Sequence, residues 1–565
     1  MRSPAPEGVT RWLHQAAARW VAEAHVLATA LGVLGFVGSL TPSLLPRTAL
    51  FQGVVTGVST AAWYGLGALL AAVLGGLARW ADLRVEMRRE VRRGLRRTWA
   101  GLLAAILAAA PFVALSQQRS LARAFELPEP TVLRALSSGI VAVISLAVVV
   151  AIWWGLRWLY RRVLGRLHRL PSIVGSLLAG LTVVALVAGV AQYVVLGGLL
   201  RVVGGNEVVA NAATPDGISQ PRLRTLSGSP DSREPWGTLG YEGRNFVGSA
   251  TTRQAIAETT GRRALDPIRV YAAARGDRTV EATTDAVLAE LDRTDAWSRS
   301  HLIVFTTTGR GWVNRWSVGA AEYLTGGDVA SVAIQHSNLP SALAVLDAPS
   351  SPREAGRALT EAVLERVASM PSGERPRVFV SGESLGAYGG NAAFASAADM
   401  LRRVDGAVWS GTPQFSDIYT EITESRQGGS TQVDPVIDNG RHVRFAGSPA
   451  ELTADRYGRG LAEWQSPRVA YLQHRSDPVA WWSPRLLFEE PDWLREDRAG
   501  SSAEQMTWLP VITFWQVTAD LAVAMRPPAG EGHRYRDELV PAWAGVLGQD
   551  PAADHSAVIE AIRGG

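Results

Sequence analysis

Within the first 200 residues, five stretches contain no Asp, Glu or Arg and are long enough to cross a bilayer: 24–46, 48–78, 98–118, 135–156 and 170–200. Spanning hydrocarbon takes about 20 helical residues, and the backbone must satisfy its own hydrogen bonds there. This one feature commits the N-terminal third to a helical transmembrane bundle of about five spans. The second and fifth stretches exceed the hydrocarbon thickness, which implies tilt or helix continuing beyond the lipid. Ser39-Leu40-Thr41-Pro42-Ser43-Leu44-Leu45-Pro46 is expected to unwind the end of the first. A cleaved leader fits that first span poorly, because the apolar run is long and four more follow.

Charge is segregated to match. Residues 1–202 carry 21 Arg against 7 acidic residues, whereas the remainder carries 35 Arg against 45. The loop 79–97 holds eight arginines and the loop 157–169 holds five; between the spans on the other side stand only Arg47, Arg119, Arg123 and Arg134. Positive residues stay on the cytoplasmic side. With an N-terminus inside and five crossings, everything after residue 200 lies outside the cytoplasm. The spans lack ionisable groups apart from His25 near one end, so an anchor is expected rather than a transporter. Gly65-Leu66-Gly67-Ala68 and the Gly180 to Gly189 stretch suit close helix packing. The basic excess belongs to span flanks, not to a nucleic-acid surface.

Residues 203–240, rich in Gly, Pro, Ser and Asn, read as an exposed connector. From 241 to 565, apolar β-branched runs alternate with amphipathic segments, the pattern of a mostly parallel α/β sheet. Six strands are expected: 267–272, 301–305, 329–334, 377–381, 406–409 and 468–472. Helices are expected over 283–293, 353–370 and 537–547. The polar stretch 412–441 reads as a possible cap insertion. Thr507 to Met525, though mostly apolar, contains Pro510, Gln516 and Asp520, and is expected to be a core helix of this domain and not a sixth span.

The chemistry concentrates at Gly382-Glu383-Ser384-Leu385-Gly386, the chain's single G-x-S-x-G. It lies between a strand-like run and small residues that can open a helix, which is the context of a nucleophile elbow. A serine hydroxyl needs a base, and the base needs an orienting carboxylate. In the chain order of such sites the acid follows a late strand and the histidine precedes a last helix. Asp477 and His533 occupy those places. Asp492 and Glu489 lack a strand before them, and Asp554-His555 reads as a helix cap. His301, His336, His442 and His474 read as structural or cleft-lining, with His336 at a strand's C-terminal end. The oxyanion donors are expected to be the N–H of Leu385 and one of Thr308, Gly309 and Arg310. The chain has no cysteine, which excludes disulfides, thiolate-bound zinc and a cysteine nucleophile. No metal or organic cofactor is implied.

The chain resembles a group of bacterial multi-pass membrane proteins with a C-terminal α/β-hydrolase domain. The matching stretches are Ser39 to Arg47, Gly240 to Val247, Thr308 to Val313, Gly382 to Gly386, Gln473 to Pro478 and Gly532 to Tyr535. The resemblance implies an N-terminal membrane domain, here 1–202, and a serine-hydrolase-like domain, here 241–565, in the cytoplasmic membrane. The expected activity is that of an esterase, lipase or thioesterase acting outside the cytoplasm on an acyl-ester, lipid or envelope substrate. Acyl transfer to a lipid or envelope acceptor would use the same residues, and a non-catalytic lipid-binding scaffold would use none of them.

Overall fold

The computed structural model describes residues 26–81, 89–190, 210–276, 278–496, 504 and 506–565. The chain divides into two compact units. The first is Met1–Ala185 with Pro484–Arg526, and the second is Leu186–Ser483 with Pro527–Gly565.

Among the described residues of the first unit, three helices are long and apolar enough to cross a membrane, not five. They lie in α2 (Ala49–Trp80), α3 (Arg89–Ala124) and α4 (Val132–Arg166). Within the described residues the first expected span is helical over α1 (Val26–Ser39), which ends there because Pro42 and Pro46 deny the continuation its backbone hydrogen bonds. The last forms α5 (Ser172–Gly189), and residues 191–200 of that expected span lie outside the described residues. Of the glycines anticipated at helix contacts, Gly67 meets α1, where a Cβ would lie 2.7 Å from Ala28 Cα, while a Cβ at Gly65 or Gly180 would meet nothing. Two others also bring helices together: a Cβ at Gly53 would lie 2.6 Å from Ser138 O and one at Gly57 2.7 Å from Ala142 O. A small residue every fourth position thus seats α2 directly on the backbone of α4.

The segment Thr507 to Met525 is not a core helix of the second unit, as its sequence suggested. It forms the helix Ile512–Leu521 within the first unit. Its polar residues explain why: Asp520 accepts from Ser43 Oγ (3.0 Å) and from the N–H groups of Leu44 (3.1 Å) and Leu45 (3.4 Å), and Gln516 donates to Thr41 O (3.1 Å). The unwound Ser39 to Pro46 loop exposes backbone groups that need partners, and this helix supplies them.

The second unit is built on seven strands, all parallel: β1 (Ile268–Ala272), β2 (His301–Thr306), β3 (Val329–Ile334), β4 (Arg377–Glu383), β5 (Gly406–Ser410), β6 (Val443–Ala446) and β7 (Arg468–Leu472). Their order is β1-β3-β2-β4-β5-β7-β6. All but three strand residues are buried, as a sheet covered on both faces requires; the exceptions, His301, Arg377 and Arg468, open β2, β4 and β7. One core joins Val304, Val332, Val380 and Trp409; the other joins Phe305, Phe379, Val408 and Trp543. Strand β6 is absent from the sequence reading; it is four residues long and carries Arg444, which is buried against the carbonyls of Gly440, Leu452 and Ala462. The expected connector is also not exposed throughout: Leu226, Ser227 and Leu239 are buried, and Ser227 N–H donates to Arg269 O on β1.

The chain runs from β2 outward to β3 and then returns past β2 to β4. The reversal leaves a crevice at the C-terminal ends of β2 and β4, where open parallel sheets bind their ligands.

Candidate active site

Ser384 stands at that crevice, between the end of β4 and the helix Leu385–Asn391, with φ +56° and ψ −121°. A side-chain-bearing residue adopts this conformation only when its surroundings force it. The force comes from both sides. Ser384 N–H donates to Ser410 O (2.9 Å), and its carbonyl accepts from Tyr388 N–H (3.0 Å). A Cβ at Gly382 would lie 2.5 Å from Gly386 C, and one at Gly386 would lie 2.2 Å from Thr306 O. The two glycines of the motif are therefore contact requirements. They let strand fold back on helix and press the bend against the end of β2.

Asp477 follows β7 as expected and caps the short helix Pro478–Trp481. Its Oδ1 accepts from Val479 N–H (2.8 Å) and Ala480 N–H (3.4 Å). Its Oδ2 accepts from His533 Nδ1 (2.7 Å) and from the Tyr535 hydroxyl (2.8 Å), with the carboxylate fully buried. The structure thus joins two residues 56 positions apart in sequence. Their loops are tied to each other: Ser476 Oγ accepts from Gly532 N–H (2.9 Å) and bonds the Glu531 carboxylate. His474 bonds Gly532 O through Nδ1 (2.8 Å) and Glu538 Oε1 through Nε2 (2.9 Å), and it stacks on Tyr535 at 4.0 Å. Two acceptors around the ring favour its doubly protonated form. Burial opposes that charge, but Glu538, Gly532 O and Asp477 together raise the ring's pKa.

The Asp477 contact makes Nδ1 of His533 the donor, which leaves the lone pair of the neutral ring on Nε2. Burial disfavours the His533 imidazolium; Asp477, assisted by Glu383, overcomes this and holds its pKa above the ordinary value. The ring lies over Gly411, where a Cβ would be 2.5 Å from Cε1. Gly411 adjoins Ser410, the residue that holds the Ser384 backbone. Among the described residues no hydrogen bond closes between Ser384 Oγ and the ring; such contacts commonly tighten when substrate arrives.

Leu385 opens its helix, so its N–H has no intrahelical acceptor. The three residues expected to supply a second donor behave differently. Thr308 N–H donates to Trp312 O (3.1 Å), Gly309 N–H to Ser341 Oγ (3.3 Å), and Arg310 offers its carbonyl to Gln335 (2.9 Å). Among the described residues the N–H of Thr307 has no acceptor, and Thr307 is buried beside Gly386. Thr307 stands one residue before the three that the sequence suggested.

Two further residues escaped that reading. Glu383, the variable residue before Ser384, is buried and accepts from Asn314 Nδ2 (2.6 Å) and Ser410 Oγ (3.1 Å). Burial pushes its carboxyl up to about 7, against the pull of His533. Asn314 also donates to Tyr535 O (3.0 Å), so one chain of polar contacts runs from Glu383 to Asp477. Alternation along β4 could have shown that Glu383 points inward with Phe379 and Ser381.

The remaining candidates lie elsewhere. His336 contacts Ser351 Oγ (3.3 Å), and burial lowers its pKa to about 4. His301, His442 and His555 each bond a backbone carbonyl, and Asp554, not His555, caps the last helix through Ser556 N–H. Asp492 pairs with Arg495, and both it and Glu489 fall in the first unit. Beside the elbow, Leu339, Ala344 and Leu385 form an apolar cluster with Leu343 and Tyr388. Tyr388 meets Phe415 edge-on at 5.5 Å and Phe415 meets Trp482 at 6.4 Å; Phe415, from the expected cap segment, is 43% exposed.

A family model described as an alpha/beta-hydrolase family matches residues 268–558, just over half of the chain. A second, described as the N-terminus of an alpha/beta-hydrolase family, matches residues 40–250. A search of curated proteins and one of solved structures found no match.

Proposed function

The chain belongs to this alpha/beta-hydrolase family, and on that premise we propose that it is a membrane-anchored serine hydrolase that cleaves acyl esters, thioesters or related bonds. The observation that carries the reading is the 2.7 Å hydrogen bond from His533 to Asp477 beside a serine at φ +56°. His533 Nε2 takes the proton of the Ser384 hydroxyl as Oγ attacks the substrate carbonyl. The N–H groups of Leu385 and Thr307 hold the oxyanion. His533 returns its proton to the leaving alcohol or thiol as that bond breaks. Water then attacks the acyl-enzyme, giving up a proton to His533, and the acid departs as Ser384 recovers its own. An acceptor alcohol in place of water would make the same site an acyltransferase.

The apolar wall of Leu339, Leu385, Tyr388, Phe415 and Trp482 favours an acyl chain as the recognised part of the substrate. The arginine-rich loops 79–97 and 157–169 favour the cytoplasmic side. From there the catalytic domain reaches the outer side only through a further crossing, for which α5 and the residues after it are the candidate.

Fluorophosphonate labelling tests the chemistry: the full-length protein in detergent should react, and Ser384→Ala should not. A folded wild type that resists the label would leave a binding scaffold as the better account. Panels of esters that differ in acyl length then separate apolar from polar acyl preference.

A further inference from the structure

The first unit contains a second polar centre, inside the helices that its sequence marks as an inert anchor. A cavity of about 80 Å³ is bounded by α1, the loop after it, α2, α3 and α4. Its apolar lining includes Phe36, Leu40 and Leu115; its polar lining includes Arg47, Gln52, Gln118 and Arg134.

Three of these side chains present buried groups with no hydrogen-bond partner in the protein: Arg47 Nη1, Gln118 Nε2 and Gln52 Oε1. Neither amide can simply be turned round. Gln52 Nε2 is held by Ser39 O and Thr56 Oγ1 (both 3.0 Å), and Gln118 Oε1 accepts from Arg47 N–H (3.3 Å). Arg47 is equally fixed, by Ser43 Oγ (3.0 Å), Thr41 O (3.2 Å) and Asp520 (3.3 Å), with its side chain fully buried. Native proteins leave few buried groups unmatched, and each costs about 1–3 kcal/mol. Two donors and one acceptor around one small cavity describe the complement of a partly protonated oxyanion.

The charge agrees. Asp520 neutralises Arg47, but Arg134 has no carboxylate partner among the described residues; its hydrogen bond goes to Arg47 O (2.6 Å). One uncompensated cation therefore faces the cavity. Its volume admits a phosphate or carboxylate group. The neighbouring faces of α3 and α4 expose large apolar residues such as Phe112 and Leu136, against which chains can lie. We propose that this cavity binds the oxyanion head of an anionic amphiphile, a phosphate or carboxylate joined to an apolar tail.

Thermal unfolding of the full-length protein in a nonionic detergent tests this with octyl phosphate, octanol and inorganic phosphate. Octyl phosphate should raise the midpoint by about 5 °C at saturation, and octanol should not. Inorganic phosphate producing the same shift at the same concentration would support the oxyanion site and assign its source to solution; a much weaker effect would assign it to lipid. Arg134→Gln should lose most of the shift, as should Gln118→Leu if the first variant does not fold, while Ser384→Ala should keep it. The proposal fails if neither anion stabilises the protein, if octanol does so equally, or if the folded cavity variants respond like the wild type.

Discussion

Each unit of this protein is organised around one buried aspartate that gathers the N–H groups of a loop and a cationic or basic side chain from a distant segment. In the second unit Asp477 holds Val479 and Ala480 N–H, His533 and Tyr535. In the first, Asp520 holds Leu44 and Leu45 N–H, Ser43 and Arg47. The difference is the partner. An imidazole kept by one nitrogen can exchange a proton at the other, whereas a guanidinium stays charged and can only bind. Under the proposed function, the same device serves a reactive centre in one place and a fixed positive charge in the other.

The largest expected effect breaks the first of these. Asp477→Asn should reduce the turnover of an ester substrate by about 10⁴-fold, because the amide favours the wrong tautomer of His533. Asparagine still caps the helix Pro478–Trp481, so the unfolding midpoint should change little. A loss below tenfold would show that Asp477 is not the orienting acid.

Asp520→Asn should act the other way round. It leaves the Arg47 guanidinium buried beside a neutral group, which costs about 3–5 kcal/mol when a buried pair loses one member. The expectation is a lowered unfolding midpoint in detergent, with Ser384 labelling per folded molecule unchanged. If activity fell as far as in Asp477→Asn while stability held, the two aspartates would not differ in kind.

A finer cut falls on Gly411. An added methyl would lie 2.5 Å from His533 Cε1, and the ring must move to admit it. Displacing a base by about 1 Å costs about 100-fold in rate, so Gly411→Ala should show that loss in kcat, together with a lowered unfolding midpoint because Gly411 has φ +54°. Full activity would mean that the ring is not where catalysis needs it.

The second unit was far more legible in the sequence than the first. Alternation, β-branched runs and a strained turn written as Gly382-Glu383-Ser384-Leu385-Gly386 are local signals, and six of seven strands and the Asp477–His533 pair follow from them. Strand β6 escaped because its Arg444 is charged yet buried, its charge satisfied by carbonyls that no local pattern announces. Thr507 to Met525 was misread for the same reason. Gln516 and Asp520 announced a need for polar partners, but those partners stand more than 470 residues earlier, in Ser43, Leu44 and Thr41. Tyr535 and Asn314 are ordinary residues made important by contact alone. Where a polar group finds its partner far along the chain, composition shows that a partner is needed and not which one.

The smallest effect bears on Glu383, whose carboxyl acts on His533 together with that of Asp477. Both carboxylates raise the pKa of the imidazole, and His533 must be neutral to accept a proton. Glu383→Gln removes one of the two charges, so the acid limb of kcat/KM should move to lower pH, by about half a unit for a partly ionised neighbour. Stability gives an independent sign. The Glu383 carboxyl rises from 4.5 to about 7 on folding, so its contribution is complete below pH 4.5 and is lost as pH climbs through 7. The variant carries no such titration. Its stability relative to wild type should therefore improve between pH 5 and pH 8, and an unchanged difference across that window would mean that Glu383 is ionised throughout and that burial does not govern it.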